Sequence, residues 1–183
     1  MRGTKIEVGA FWSWAFSDLA SNITRSILAE FLVARALGDT RPLRTEWADV
    51  DVLTPDGVRV EVKSAAYLQT WRQWKPSAIR FGRFTGRSWD ADTGELDEER
   101  SVRADVFVFA VQSCQVIADY DRLDVGQWGF YAVPAADVAA RGYRSANLAW
   151  VRRNAGSAVG YEDLRGAVDR AAALNRESHD GVA

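Results

Sequence analysis

Apolar and polar positions alternate most strictly between residues 50 and 63. Val58, Val60 and Val62 fall on one side of an extended chain, and Arg59, Glu61 and Lys63 on the other. Val50, Val52 and Leu53 come before a Thr54-Pro55-Asp56-Gly57 turn, so the stretch reads as a β-hairpin. Pro55 presets φ, Asp56 suits the next position, and Gly57 takes the left-handed site. A type I turn closed by a glycine bulge sets the register. Thr54 then faces Val58, Leu53 faces Arg59, Val52 faces Val60, Asp51 faces Glu61 and Asp49 faces Lys63. Facing residues project to the same side, so two carboxylates and an ammonium share one face, with valines on the other.

The remaining elements follow the same logic. Ser17 is expected to cap a helix over 18–37 that Gly38 stops. Its second half is apolar on most sides, from Ile27 to Leu37, which predicts a largely buried helix with Glu30 inside the apolar run. Residues 104–111 form a continuous apolar run, expected as a buried strand. A second strand covers 128–133 and ends at Pro134. A short helix over 135–140 and an amphipathic helix over 161–174 follow. Residues 1–10 read as a loose lead-in or an edge strand, and Phe11, Trp12, Trp14 and Phe16 as a hydrophobic cap over the first helix. Residues 90–100 are acidic and turn-rich, and residues 112–127 polar and irregular. One domain over 1–174 is expected, with a disordered tail over 175–183.

Composition removes several kinds of chemistry. The chain has 183 residues and a formal net charge of -2. It is not a uniformly basic nucleic-acid binder, although a local basic stripe fits within that charge. The single cysteine, Cys114, permits no intramolecular disulfide. The apolar run at 27–37 is short and interrupted by Glu30 and Arg35, so no membrane span is expected. Without a signal-like segment, a cytoplasmic location is the simplest expectation. The single histidine, His179, lies near the C-terminus. Zinc sites built on histidine, Ser-His-Asp triads and Cys-His pairs are thereby disfavoured. Carboxylates and the three lysines, Lys5, Lys63 and Lys75, remain as reactive groups. Residues 71–89 carry Arg72, Lys75, Arg80, Arg83 and Arg87 without one acid, interleaved with Trp71, Trp74, Phe81, Phe84 and Trp89. Such a stretch suits a cationic groove with stacking aromatics, or a hairpin with its aromatics turned inward. Arg141, Arg144, Arg152 and Arg153 make a second basic group.

Asp51 followed by Glu61-Val62-Lys63 resembles the Asp…(Asp/Glu)-X-Lys signature of the PD-(D/E)XK nuclease superfamily. Glu30 on the upstream helix and Gln69 downstream are similar to residues that many members carry. The resemblance implies an α/β, restriction-endonuclease-like fold: a central mixed four- to five-stranded β-sheet flanked by helices. It implies a Mg²⁺-dependent endonuclease acting on DNA, with Mn²⁺ able to substitute. Asp51, Glu61, the Val62 carbonyl and Glu30 would be metal ligands, Lys63 would position the water, and Gln69 would approach the scissile phosphate. Two carboxylates beside Lys63 favour its charged form, which argues against a general base. DNA would be held by Arg72, Lys75, Arg80, Arg83 and Arg87, and a homodimer would supply two sites for two strands. A crossover helix is common in that fold, and 112–127 suits one poorly. The alternative is a non-catalytic nucleic-acid- or partner-binding subunit on the same fold. A third reading leaves the charged hairpin a surface salt-bridge network.

Overall fold

The hairpin forms in the expected register. In the computed structural model, β1 (Val52–Leu53) pairs antiparallel with β2 (Arg59–Ala66), placing Val52 opposite Val60 and Leu53 opposite Arg59. Gly57 has φ 86° and its N–H donates to the Thr54 carbonyl at 2.9 Å, while the Thr54 hydroxyl accepts from the Val58 N–H at 2.8 Å. The structure describes all residues except 46–47, 88–92, 96–97, 99, 143–144 and 181–183, and the side chains of 179 and 180. Trp89, Arg144, the His179 side chain and part of the acidic 90–100 segment therefore lie outside the described residues.

β2 pairs in parallel with β4 (Val106–Gln112), and β4 pairs antiparallel with β5 (Trp128–Pro134). The result is a mixed four-stranded sheet of order β1-β2-β4-β5, flanked by helices, in an α/β fold. A small second sheet pairs β3 (Arg80–Phe81) with β6 (Ala146–Asn147). The return from β4 to antiparallel β5 needs no crossover helix. Two 3₁₀ turns, at Ile117–Asp119 and Val125–Gln127, make it, which explains why 112–127 lacks a helical pattern. The crossover falls between parallel β2 and β4, and β3 lies within it.

Alternation along β2 separates two cores. Val60 and Val62 join Val52, Val106, Val108 and Phe130 against α2 (Asn22–Leu37) and α5 (Leu164–Asp180). Phe107 and Phe109 point to the other face, with Phe81, Phe84, Val138 and Val151 from β3, its following loop, α3 (Ala135–Ala140) and α4 (Leu148–Ala155). Phe81 and Phe109 meet edge-to-face with centroids 4.8 Å apart. Expelling these side chains from water is the main stabilising term, about 1.5–3 kcal/mol for each large one.

Several boundaries differ from the sequence expectation. α2 starts at Asn22, because Ser21 and not Ser17 caps it, accepting from the Thr24 N–H at 3.2 Å. It ends as expected at Gly38, φ 75°. The helix is buried on one face only, through Ala29, Leu32, Val33 and Leu37, and Phe31 is exposed. Residues Val8–Phe16 form a helix, α1, with no buried residue; its aromatics face solvent and do not cap α2. α5 runs past Asn175 to Asp180. Asn175 is buried and its side-chain carbonyl accepts from the Ala136 N–H at 2.9 Å, which ties down a segment that polarity alone marks as a tail.

The outer edge of β1 is closed by side chains. Asp39 is buried; it binds Arg41 through three side-chain hydrogen bonds and accepts from the Leu53 N–H at 3.4 Å. Arg41 also donates to the Asp51 carbonyl at 2.7 Å. Burial would raise the Asp39 carboxyl, but its bonds to Arg41 and Leu53 outweigh this and hold it below the usual carboxylate range. Its stabilising contribution is therefore present above the unfolded carboxylate range and is lost as pH falls through the depressed folded value. Asp39→Ala is expected to cost about 3 kcal/mol at neutral pH, since it strands a partly buried guanidinium. Urea melts of wild type and variant should converge as pH is lowered; a gap that stays constant down to strong acid would contradict this.

Candidate functional site

β1 is too short to reach Asp51, so the ladder stops one residue before it. In place of backbone pairing, the Asp51 carboxylate accepts the Val62 N–H at 2.8 Å. N–H and C=O of one strand residue leave the same edge, so the Val62 carbonyl also faces the Asp51 side. Glu61 and Lys63, on the opposite face from the valines, join at 2.6 Å between Oε1 and Nζ. Asp49 does not meet Lys63, as the extrapolated register expected. The pairing ends first, and Asp49 turns to Arg103 at 3.4 Å.

The Asp51 carboxyl is pushed up to about 7. Burial is the largest cause, followed by the negative charges of Glu61 and then Glu30; the Val62 N–H and the Lys63 charge act in the opposite sense. Glu61 and Glu30 thus both lie within electrostatic reach of the partly buried Asp51. Glu30 comes from the middle of α2, and its side chain is 15% exposed. Its carboxylate is held by Arg44, with Nη2 to Oε1 at 3.2 Å. Glu30 and Asp51 line a common pocket with Phe31, Pro42 and Leu43.

On its other side Asp51 opens into a cleft of about 320 Å³, shared with Glu61 and Lys63. Arg83, Arg87, Arg100 and Arg103 line the same cleft. An isolated antiparallel bridge between Gly86 and Ser101 brings the two arginine-bearing segments together. Arg83 has φ 59°, a left-handed conformation that costs a non-glycine residue roughly 1 kcal/mol, and it stands at this wall. Phe84 and Phe107 make the floor. Negative charge at depth with positive charge at the rim can seat a cation inside and a polyanion across the mouth.

The sequence-derived residues divide among three places. Asp51, Glu61, Val62 and Lys63 come together, with Glu30 behind Asp51. Arg83 and Arg87 reach the same cleft. Gln69 does not line it: its side chain bonds to the Ala66 carbonyl and lies 3.4 Å from Arg25, in a neighbouring groove that also holds Arg80. Arg72 and Lys75 lie farther out around Trp74, with Arg72 5.1 Å above the indole. Trp71 and Trp74 are exposed, whereas Phe81 and Phe84 are core residues, so the aromatic-basic stretch serves both surface and packing. In the second basic group, Arg141 bonds to the Ser145 carbonyl and stacks on Trp150, and Arg152 bonds to the Tyr131 hydroxyl.

Sequence reasoning missed Arg100, Arg103 and the Asp39–Arg41 clamp. The first two sit just before a strand that runs beside β2, and that adjacency was their one available signal. Among the described residues, no helix is long and apolar enough to cross a membrane, and no three or more His, Cys, Asp or Glu side chains already converge as a metal cage.

No curated protein gives a significant match to this chain. The family model for bacteriophage T4 endonuclease IV matches residues 14–118, a span that takes in α2, the hairpin, the basic crossover and β4. That match covers more than half of the 183 residues, and the chain belongs to the bacteriophage T4 endonuclease IV family.

Proposed function

We propose that the protein is a divalent-metal-dependent endonuclease of PD-(D/E)XK type that hydrolyses phosphodiester bonds of DNA. Family membership supports the endonuclease activity. The observation that carries the metal-dependent mechanism is the meeting of Asp51, Glu61 and Lys63 in an arginine-lined cleft, where burial and the charges of Glu61 and Glu30 push the Asp51 carboxyl up.

The residues present fit a hard divalent cation. Asp51 and Glu61 offer carboxylate oxygens on one side of the hairpin, and the Val62 carbonyl faces the same edge. Mg²⁺ is commonly held by only one or two carboxylates, with waters and substrate oxygens completing its shell, so a full protein cage is not required. The repulsion that raises Asp51 is the electrostatic deficit such an ion would remove. Mn²⁺ suits the same oxygen donors. When bound, the ion would supply charge neutralisation at the phosphate and acidify a water.

This chain's own groups supply the rest. Lys63 can donate to the attacking water or to a non-bridging phosphate oxygen, stabilising charge that develops there. Its contact with Glu61 fixes the ammonium in the cleft. Arg83, Arg87, Arg100 and Arg103 would hold the backbone on either side of the scissile bond. Glu30 could join a second cation only after giving up Arg44.

Supercoiled and linear DNA incubated with Mg²⁺ should be cut by wild type, and not measurably by Asp51→Ala or Lys63→Ala. Removing a group of this kind typically costs two to three orders of magnitude or more, so about 10²-fold is the minimum expected loss. Equal cleavage by all three proteins would remove the assignment. Stability supplies an independent check. In EDTA, folded Asp51 binds a proton that unfolded Asp51 has released between about pH 4 and about pH 7. Its contribution is therefore greatest at low pH and disappears as pH rises through about 7. Asp51→Asn should melt above wild type at pH 8, with the margin shrinking toward pH 5. A margin that grows on acidification would contradict the site's electrostatics.

A further inference from the structure

Among the described residues, Arg25 is a buried charge with no carboxylate bonded to it. It lies near the start of α2 and is 4% exposed. Arginine is almost never buried so completely without an ionic partner. Yet its guanidinium meets only neutral oxygens: the Ala20 carbonyl at 2.9 Å, the Asn22 side chain and, at 3.4 Å, the Gln69 side chain. Its Nε–H has no hydrogen-bond partner. Burial lowers its affinity for the proton, and nearby Tyr120 acts in the opposite sense.

Arg25 lines a groove of about 290 Å³ with Asn22, Gln69, Trp71, Ser77 and Arg80. Arg80 is exposed there, so a second cation faces the same space. Among the described residues lining the groove there is no carboxylate. Residues Ser64 to Ala66 form its inner wall, directly beyond Lys63 on β2. At the rise of an extended strand this wall lies roughly 3–10 Å past Lys63, about one to three nucleotide steps along a DNA strand.

We infer that this groove is a phosphate subsite: Arg25 and Arg80, with the Asn22 and Gln69 amides, hold a DNA backbone phosphate next to the one being cleaved. This rests on the nuclease reading above and adds to it a fixed direction for the strand, from the carboxylate cleft past the end of β2. Arg25 is a substrate-binding residue, buried and pre-positioned, and Gln69 acts there and not at the metal. The incoming phosphate supplies the counter-charge that the fold leaves out, and it can accept two N–H bonds from the exposed Arg80 guanidinium.

The test uses the full chain in EDTA, where no cleavage is needed. Inorganic phosphate, compared with chloride at equal ionic strength, should raise the melting temperature of wild type and not of Arg25→Gln. Binding of a short fluorescein-labelled oligodeoxynucleotide should weaken in both Arg25→Gln and Arg80→Gln, and the slope of log affinity against log salt should fall by about 1 in each. Should Arg25→Gln fail to fold, Ala78→Glu carries the test. Ala78 is exposed beside the groove, so its carboxylate should leave folding intact while weakening DNA binding. Unchanged salt slopes in these variants, with wild type binding normally, overturn the subsite and leave the nuclease reading standing. Protection by phosphate without any change in DNA binding overturns the assignment to DNA. A wild-type chain that neither binds nor cuts DNA overturns both.

Discussion

The Asp51 carboxylate accepts the Val62 N–H where the β1–β2 ladder ends, and the arrangement around it follows from holding that one group in place. A regular ladder would have satisfied Val62 through backbone and left Asp51 free to turn to water. Here the side chain substitutes for the backbone acceptor and is drawn inward, toward Glu61 and Glu30. The neighbouring residues are arranged to hold it. Arg41 grips the Asp51 carbonyl, and Asp39 orients Arg41 while closing the open edge of β1. An edge strand of two residues is thereby fixed by side chains and protected from pairing with another chain.

Alternation along β2 divides labour between structure and chemistry. Val60 and Val62 belong to the core under α2 and α5, so their positions are set by packing. Glu61 and Lys63 inherit that rigidity on the opposite face without contributing to that core. The parallel partner β4 adds Phe107 beneath the cleft, and the crossover between the two strands brings the arginines over it. The connection that parallel pairing demands is therefore also the element that supplies positive charge.

The hairpin was legible because its information is local. Thr54-Pro55-Asp56-Gly57 specifies the turn, the turn specifies the register, and the valines specify which face is buried. β5 and α3 were readable for the same reason. What escaped depends on contacts distant in sequence. Local pattern extrapolates Asp49 onto Lys63 because the length of a ladder is not set by its turn; the backbone pairing stops at Val52, and the Asp51 carboxylate takes the Val62 N–H in its place. Arg103 reads as part of a loop until β4 is known to lie beside β2. Gln69 follows Lys63 closely in sequence, but the chain turns after β2 and delivers it to Arg25. The aromatics of α1 look like core residues by composition, and their exposure depends on how the rest of the chain is arranged, which no local pattern encodes. Residues 175–180 look like a tail by polarity, and the structure continues α5 through them.

Negative charge gathered around Asp51 is what a divalent cation would neutralise in the proposed nuclease. Calorimetric titration with Mn²⁺ near pH 7, repeated in buffers of different ionisation enthalpy, tests it most directly. Saturable binding is expected, accompanied by release of a fraction of a proton as Asp51 ionises, with both signals absent in Asp51→Asn. Binding of equal strength in that variant, or no binding by wild type, would contradict it.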